Sequence, residues 1–192
     1  MSVAIVGATG AVGREIIKIL ETRKFPLTNL KLLASRNSSG KELWFKKQNI
    51  QVEELTESSF HGVDIALFSA SGSISQKYAP IAVTSGATVI DNSSAFRMDP
   101  DVPLVVPQVN ANTIKDKLKN IIANPNCSTA QLVLVLKPLH DAFKIKRVVI
   151  STYQSTSGAG KGPMDEMIDQ TKQVLENKKV SINNFTKQIA FN

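Results

Sequence analysis

The stretch VAIVGATGAVG, residues 3–13, decides the fold of this chain. Its first four residues form a continuous, β-branched-rich apolar run, which is typical of a buried parallel strand. A helix is expected over residues 12–20, because the apolar residues of that segment largely share one helical face. The stretch therefore predicts a strand, a glycine-rich turn and a helix in succession, the unit with which a doubly wound α/β fold begins.

The glycines in this turn have the spacing Gly-x-x-Gly-x-x-Gly, and not the commoner Gly-x-Gly-x-x-Gly. Glycine lets a backbone turn tightly and approach a pyrophosphate, whose charge then lies against the N–H groups at the start of the helix. A purely structural turn would also accept three glycines, but a strand before them and a helix after them favour a dinucleotide site. The residues predicted to bind the cofactor here are Gly7, Thr9, Gly10, Ala11, Val12 and Gly13.

The loop after the second predicted strand, 30–34, bears on which dinucleotide is bound. An NAD enzyme is expected to offer an acidic side chain to the ribose about 20 residues past the glycines. Loop 35–41 has no acid, and its positive charge and hydroxyl groups suit the 2′-phosphate of NADP. A solvated basic loop is the alternative interpretation. The residues predicted to contact NADP here are Ser35, Arg36, Ser38 and Ser39.

Length and composition limit the class of protein. The 192 residues, 42% of them hydrophobic, suffice for one large domain or for one domain and part of another. A single cysteine excludes an intramolecular disulfide, the chain starts on a strand-like run without a signal peptide, and no apolar run approaches the ~20 residues of a membrane span. We therefore expect a reducing, cytoplasmic compartment. The lysines behind the net charge of +7 are scattered along the chain, so a scattered basic surface or a phosphate-rich ligand explains the charge more simply than nucleic acid does.

Strands and helices alternate along the first two thirds of the chain. Apolar runs predict strands at 63–68 and 88–90, with a helix over 74–85 that Pro80 interrupts or bends, and shorter runs follow at 104–106 and 121–122. Small residues after the strands are expected to face a ligand; among these, Ser69, Ser71 and Gly72 are predicted to contact the cofactor. Residues 1–128 are thus predicted to form one Rossmann-like NADP-binding domain with a mostly parallel sheet.

The remaining residues, 129–192, are predicted to begin a second domain. A helix starts near Ser128, a new strand is expected over 147–154, and a helix over 164–175 follows a glycine-rich loop. The run 188–192 is apolar and has nothing after it to complete a sheet, so we expect this domain to be incomplete. Cys127 falls at the seam between the two domains, where active sites are common. Taken alone, it is either a buried structural thiol or a nucleophile at a helix start, where backbone N–H groups favour a thiolate.

Five segments in this order resemble the aspartate-semialdehyde dehydrogenases, and the resemblance runs over the whole chain. The segments are GATGAVG (7–13), DNSSAFR (91–97), VPLVVPQVN (102–110), NPNCST (124–129) and STYQSTSGAG (151–160). The resemblance implies a Rossmann-like domain followed by the beginning of an α+β substrate and dimerisation domain. It also implies NADPH-dependent reduction of aspartyl phosphate to aspartate semialdehyde and phosphate, on the path to lysine, threonine and methionine.

The resemblance assigns roles residue by residue. Cys127 would displace phosphate to give a thioester, which hydride transfer and collapse convert to the aldehyde. Arg97, with Ser94 beside it, would hold the phosphate through its forked guanidinium. Asn126 and Gln154 would position the substrate and the thioester. Ser157 and Gly158 would close on the nicotinamide. The structural alternatives are a surface ion pair for Arg97, a strand-end cap for Gln154 and a turn former for Asn126.

Two departures from the family pattern stand out. Asn37 occupies the position where the family usually carries its cofactor-loop arginine, so Arg36 must reach from the neighbouring position. The family also uses a downstream histidine as acid/base and a downstream arginine for the substrate carboxylate. His61 and His140 are the only histidines, and neither fits the base. His140 would lie ~20 Å along a continuous helix from Cys127, and His61 lies in a surface-type turn before a strand, where a solvated side chain is expected. We therefore expect this chain alone to be inactive or nearly so. The resemblance also implies a homodimer or homotetramer for the full-length family member.

Two other functions remain possible from the sequence. The first is a nucleotide-binding module that holds NADP(H) without catalysis, in which Cys127 would show no unusual reactivity. The second is a reductase of the epimerase type, which shares the glycine spacing. Such enzymes typically need Tyr-x-x-x-Lys, and Tyr78 and Tyr153 are followed by Ala82 and Ser157 at the lysine position, so the sequence fits this second alternative poorly.

Overall fold

The computed structural model describes residues 1–116 and 118–192. Its strands and α-helices, connected by short turns and 3-10 segments, follow one another along the chain. Within the described residues, these are β1 (Ser2–Val6), α1 (Ala11–Thr22), β2 (Asn29–Ala34), β3 (Glu42–Phe45), β4 (Gln48–Glu54), β5 (Ile65–Phe68), α2 (Gly72–Thr84), β6 (Thr88–Asp91), α3 (Pro107–Asn110), β7 (Ile121–Ala123), α4 (Cys127–Phe143) and α5 (Lys161–Leu175).

One sheet joins these strands in the order β3-β4-β2-β1-β5-β6-β7. Every neighbouring pair is parallel except β3 and β4, which form an antiparallel hairpin at the edge. The chain moves outward from β1 through β2 to β4, and then returns to the other side of β1 to continue through β5, β6 and β7. Doubly wound sheets bind ligands at the carboxyl ends of their strands where the order reverses, here between β1 and β5. The predicted α/β, Rossmann-like, mostly parallel sheet is confirmed.

Strand β1 shows why the centre of the sheet is apolar throughout. Val3 and Ile5 pack in one cluster with residues of α1, whereas Ala4 and Val6 pack in a second cluster with residues of α2. Side chains of a strand alternate between its two faces, so helices on both faces leave no position of β1 exposed to water. All four of these residues are at most 1% exposed, which is the burial that their continuous apolar run predicted.

The predicted helices are present, and α2 and α4 each contain an internal proline, Pro80 and Pro138. α1 buries residues 13, 17 and 20, a spacing that puts them on one face of the helix. α2 runs through Pro80 without interruption. Proline leaves the carbonyl four residues before it without a partner. Here that carbonyl belongs to Gln76, an exposed residue, so water can hydrate it.

Two predicted strands are corrected by the structure. Residues 104–106 form only an isolated bridge, between Leu104 and Ala123, and residues 147–154 have no regular secondary structure. A strand needs a neighbour to pair its backbone groups, and none of the described residues pairs with 147–154, where Val149 is 79% exposed. The β3–β4 hairpin was missed, because its turn is Lys46-Lys47, with positive φ at both residues, and lacks the usual Asn or Gly.

The described residues divide into two compact units, 1–148 and 149–192. The second unit contains α5 and the segment 181–190, which has no helix or strand. The boundary that the sequence predicts, after residue 128, stays a prediction. Among the described residues, no helix combines the length and apolar character that crossing a membrane requires.

Candidate active site

The three glycines of the first turn have different surroundings. Gly7 has φ +84°, and a Cβ there would lie 2.3 Å from the carbonyl oxygen of Ser69, at the end of β5. A Cβ on Gly13 would lie 2.3 Å from the Gly7 carbonyl oxygen. Gly10 is exposed, and its Cβ would meet nothing closer than 3.4 Å. Two glycines thus let the turn pack against β5 and α1, while the space beside Gly10 is open to a ligand.

The start of α1 presents unpaired backbone donors to this open space. The N–H of Arg14 is the first to bond within the helix, to the carbonyl of Gly10. The N–H groups of Ala11, Val12 and Gly13 have no acceptor among the described residues, and Gly10 offers no side-chain cap. N–H groups at the positive end of a helix dipole favour an anion. The structure thus brings together the predicted cofactor residues of this turn in an arrangement that suits a pyrophosphate.

The loop after β5 lies beside the glycine turn. The Ser69 N–H donates to the Val6 carbonyl at 2.8 Å, and Ser71 caps the start of α2. A Cβ on Gly72 would lie 3.8 Å from the hydroxyl of Ser94. The structure therefore places the cofactor residues predicted after β5 next to one residue predicted to bind substrate phosphate.

The serine-rich loop follows the carboxyl end of β2, next to β1. Its residues 36–38 form a 3-10 turn, and Ser35, Arg36, Asn37 and Ser39 are exposed whereas Ser38 is half-buried. Arg36 forms no ion pair within the part of the chain that the structure describes, although an exposed carboxylate, Glu54, ends the neighbouring strand β4. Its guanidinium is therefore available to an anionic ligand.

Asp91, at the end of β6, is a buried carboxylate with a full set of partners. It is 0% exposed and accepts hydrogen bonds from the Ser75 hydroxyl at 2.8 Å, and from the N–H and hydroxyl of Ser93 at 3.0 and 2.7 Å. Its backbone carbonyl accepts from the Asn124 N–H at 2.8 Å. This one residue connects α2, the loop after β6 and the loop after β7.

Arg97 joins the same two loops through its guanidinium. Nε donates to the Asn124 carbonyl at 2.8 Å, and Nη2 donates to the Asn92 carbonyl at 2.9 Å. The side-chain amides of Asn92 and Asn124 also bond to each other. The alternative that Arg97 forms a surface ion pair is not observed, because its partners among the described residues are carbonyl oxygens. These bonds fix the side chain, and its remaining N–H groups can bind an anion.

Cys127 is the first residue of α4, and its side chain is exposed. Exposure contradicts the interpretation as a buried structural thiol. Asn126 is the N-cap of this helix: its Oδ1 accepts from the N–H of Ser128 at 3.0 Å and from the Ser128 hydroxyl, and Cys127 Sγ lies 3.8 Å from the same oxygen. The cap engages the side-chain oxygen of Asn126, and the side-chain N–H groups of Asn126 have no partner among the described residues, so they can donate to a ligand.

Ion pairs hold the segment 99–101, which follows Arg97, against Lys119. Lys119, just before β7, contacts Asp99 at 2.8 Å and Asp101 at 3.1 Å. The hydrogen bond from Lys119 lowers the pKa of Asp99 below its ordinary value, and the same bond raises the pKa of Lys119. These contacts connect the turn after the DNSSAFR segment to the strand that leads into Cys127.

Neither histidine lies near the thiol. α4 is continuous from Cys127 to Phe143, so His140 is ~20 Å along the helix axis from the nucleophile. His61 is exposed and precedes β5, at the edge of the parallel sheet opposite the carboxyl end of β7 that leads to Cys127, and its Nδ1 lies 2.8 Å from the Ser58 carbonyl. No acid/base for Cys127 is found among the histidines of the described residues, and no cluster of His, Cys, Asp and Glu in this part of the chain could hold a metal.

The remaining predicted residues lie in the second unit and are described within it. The Ser157 N–H donates to the Ser155 hydroxyl, which caps a 3-10 turn at Thr156–Ala159. A Cβ on Gly158 would lie 2.8 Å from Nε2 of Gln154. Gln154 thus folds over Gly158, a contact that glycine permits.

Sequence reasoning missed the polar residues that hold the site together. Asp91, Asn92 and Asn124 were noted only as parts of motifs, and Ser75 was not singled out. A signal for Asp91 was present, since a carboxylate directly after three apolar or β-branched residues of a buried strand must find partners. The carbonyl partners of Arg97 have no sequence signal.

Comparisons with known proteins agree with this architecture. A family described as semialdehyde dehydrogenase, NAD binding domain, matches residues 2–117, and one described as semialdehyde dehydrogenase, dimerisation domain, matches residues 136–192. The aspartate-semialdehyde dehydrogenase of Aquifex aeolicus is 56% identical over 99% of this chain, which spans 57% of that relative.

Solved structures give the same result. Aspartate semialdehyde dehydrogenase II of Vibrio cholerae, complexed with ASA, has a TM-score of 0.93 and 49% identity over 100% of this chain and 57% of its own. The Candida albicans enzyme, solved with NADP, has a TM-score of 0.61 and 29% identity over 74% of this chain and 47% of its own. The predicted resemblance is confirmed, and this chain belongs to the semialdehyde dehydrogenase family.

Proposed function

We propose that this chain carries the cofactor site and the nucleophile of an NADP-dependent aspartate-semialdehyde dehydrogenase. The reaction is reduction of L-aspartyl 4-phosphate to L-aspartate 4-semialdehyde and phosphate. The observation that carries the proposal is the junction of the loops after β6 and β7, where Arg97 is bonded to Asn124, three residues before the exposed Cys127.

The first chemical step uses residues of this junction. The Cys127 thiolate attacks the acyl carbon, the bond between that carbon and the phosphate oxygen breaks, and phosphate leaves with its electron pair. Arg97 binds the phosphate through the N–H groups that its carbonyl partners leave free, with Ser94 beside it. The free amide N–H groups of Asn126 donate to the carbonyl oxygen on which negative charge develops. Gln154 positions the thioester that results.

The cofactor assignment rests on the residues at the carboxyl ends of β1, β2 and β5. The turn 7–13 binds the diphosphate. The 2′-phosphate is bound by Ser35, Arg36, Ser38 and Ser39. Within the loop 69–72, Ser69, Ser71 and Gly72 also contact the cofactor. Ser157 and Gly158 close on the nicotinamide. When bound, NADPH supplies the hydride that reduces the thioester. The unpaired Arg36 and the NADP in the Candida albicans relative support NADP over NAD.

Further parts of the function depend on residues beyond those of this chain. The acid/base and the group that binds the substrate carboxylate are assigned there. Assembly as a homodimer or homotetramer is assigned to the second domain, of which this chain carries the beginning. This chain alone is then inactive. The activity belongs to cytoplasmic biosynthesis of lysine, threonine and methionine, with small molecules and no nucleic acid as partners.

Phosphate-dependent formation of NADPH from NADP and aspartate semialdehyde tests the reaction. The full-length protein is compared with its Cys127→Ala variant, and the 192-residue chain is assayed beside them. We expect turnover only in the full-length protein with Cys127 intact. Turnover in the Cys127→Ala variant would contradict the nucleophile, and turnover by the short chain would contradict the downstream acid/base.

The second candidate is a module that binds NADP(H) without catalysis. The exposed cysteine at a helix start argues against it. Alkylation of this single thiol by iodoacetamide near neutral pH separates the two functions. A rate above that of a small-molecule thiol supports the nucleophile, and an ordinary rate with intact NADP(H) binding supports the module.

A further inference from the structure

Arg14 is a cation at the wrong end of a helix. It lies in the first turn of α1, where no acidic residue is present. Its Nε donates to the Thr9 carbonyl at 3.1 Å, so the side chain folds back past Gly10, the N-cap, and the guanidinium lies beside the glycine turn. A positive charge at this end of a helix opposes the helix dipole, which favours anions there and cations at the other end.

No carboxylate balances this charge. Arg14 is exposed and forms no ion pair among the described residues. The nearest acid along the helix, Glu15, is paired with Lys18 at 3.8 Å. The whole chain is itself basic, with a net charge of +7. An arginine used only to hold the Thr9 carbonyl would gain one hydrogen bond at the cost of this repulsion.

The surroundings of the guanidinium suit a ligand anion. The N–H groups of Ala11, Val12 and Gly13 are unpaired within the described residues, and the space beside Gly10 is open. An anion bound to these N–H groups would lie at the end of the helix past which the Arg14 side chain folds. It would remove the repulsion between the helix dipole and the arginine, because both then face the same negative charge.

We propose that Arg14 binds the diphosphate of the dinucleotide, as a second positive group beside the backbone N–H groups. This rests on the proposed cofactor site. The guanidinium of Arg14 is held at the turn after β1, whereas Arg36 follows β2 and Arg97 is fixed between the loops after β6 and β7. Each of the three arginines thus serves one phosphate group: the diphosphate, the 2′-phosphate and the phosphate of the substrate.

The test measures affinities of the purified protein for three probes by titration calorimetry. NADP+ and NAD+ both carry the diphosphate, and 2′-AMP carries the 2′-phosphate without it. We expect Arg14→Gln to weaken the affinities for NADP+ and NAD+ by the same factor, about tenfold for the loss of a hydrogen-bonded charge pair. Its affinity for 2′-AMP should be unchanged. Arg36→Gln is expected to weaken NADP+ and 2′-AMP but not NAD+. Lys18→Gln, on the same helix, is the matched control and should change none of them.

Thermal unfolding of the ligand-free variants distinguishes binding from a structural role. If Arg14 serves the ligand, Arg14→Gln unfolds at the same or a higher temperature than the parent protein, because the helix loses an unfavourable charge. Equal affinities of parent and variant for NADP+ and NAD+ would overturn the proposal. So would weaker binding together with a lower unfolding temperature, since Arg14 would then act by holding the turn. A parent protein that binds neither dinucleotide would instead overturn the cofactor site itself.

Discussion

Asn126 caps α4 with one end of its amide group, and we propose that the other end serves the reaction. Its side-chain oxygen caps α4 by accepting hydrogen bonds from Ser128. Its side-chain N–H groups have no hydrogen-bond partner among the described residues. Aspartate caps helices as well as asparagine does, but it has no N–H to donate. The structural contribution of this residue and the chemical contribution proposed for it are therefore separable by substitution.

We predict that Asn126→Ala lowers the free energy of unfolding by about 1 kcal/mol, the usual value of a lost N-cap, and that Asn126→Asp leaves it nearly unchanged. Urea denaturation measures both. In the full-length protein, both variants should lose activity, because neither can donate to the thioester oxygen. Full activity in Asn126→Asp would show that the residue is only a cap.

The three glycines of the first turn should respond differently to alanine. Gly7→Ala and Gly13→Ala each place a methyl group 2.3 Å from a carbonyl oxygen, and should destabilise the fold by about 2 to 4 kcal/mol. Gly10→Ala meets nothing closer than 3.4 Å, so it should fold normally and lose affinity for NADP+. Thermal unfolding and calorimetry measure the two effects. Normal folding of Gly7→Ala would contradict the close approach to Ser69.

At the scale of elements, α5 holds an irregular segment through buried polar side chains. Glu166 accepts from the N–H groups of Asn183 and Asn184, and Gln170 accepts from those of Ile189 and Ala190. Burial by itself raises the pKa of Glu166, but these hydrogen bonds outweigh burial and hold the pKa below its ordinary value. Ionised Glu166 is thus part of what keeps the segment on the helix.

The lowered pKa of Glu166 predicts a dependence on acid. The contribution of this carboxylate is complete above its unfolded pKa, about 4.3, and is lost as the pH falls through the lower folded value. Hydrogen exchange should show that the amides of 183, 184, 189 and 190 lose protection below about pH 4. Glu166→Gln should weaken protection at neutral pH and remove this pH dependence, whereas Asp169→Asn, an exposed control, should do neither. Unchanged protection in Glu166→Gln would contradict the role.

At the scale of the molecule, the chain consists of two compact units with an irregular stretch at their boundary. Residues 144–155 are in no helix or strand and are largely exposed. Trypsin cleaves after lysine and arginine, and Lys144, Lys146 and Arg147 all lie there. We predict that the first cut falls after one of these three residues and leaves a fragment that still binds NADP+ through its diphosphate and 2′-phosphate, although without the contacts of Ser157 and Gly158. Mass spectrometry identifies the cut, and a first cut inside the sheet would contradict this division.

How much the sequence predicts depends on whether a residue's environment is local. The run 3–6 and the glycines were sufficient to predict β1, the turn and α1, because their periodicity and spacing are local signals. Residues 147–154 have the composition of a strand, but pairing depends on a neighbour that composition cannot supply. Cys127 was identified by the local motif NPNCST. The hydrogen bonds from Arg97 to the carbonyls of Asn92 and Asn124 could not be predicted in this way, because they form only when β6 and β7 become neighbours in the sheet.

The order of the strands has a consequence for how the protein is made. Among the described residues, the last strand of the sheet ends at Ala123, and Cys127 and the second unit follow it. Chains are synthesised from the N-terminus at about 5–20 residues per second, and domains generally fold as units during synthesis. The part of the proposed dinucleotide site that binds the diphosphate and the 2′-phosphate can therefore form before the second unit, which carries Ser157 and Gly158, has folded. NADP present in the cell would then stabilise a nascent intermediate, so the cofactor would act first as a folding ligand and only later as a reactant.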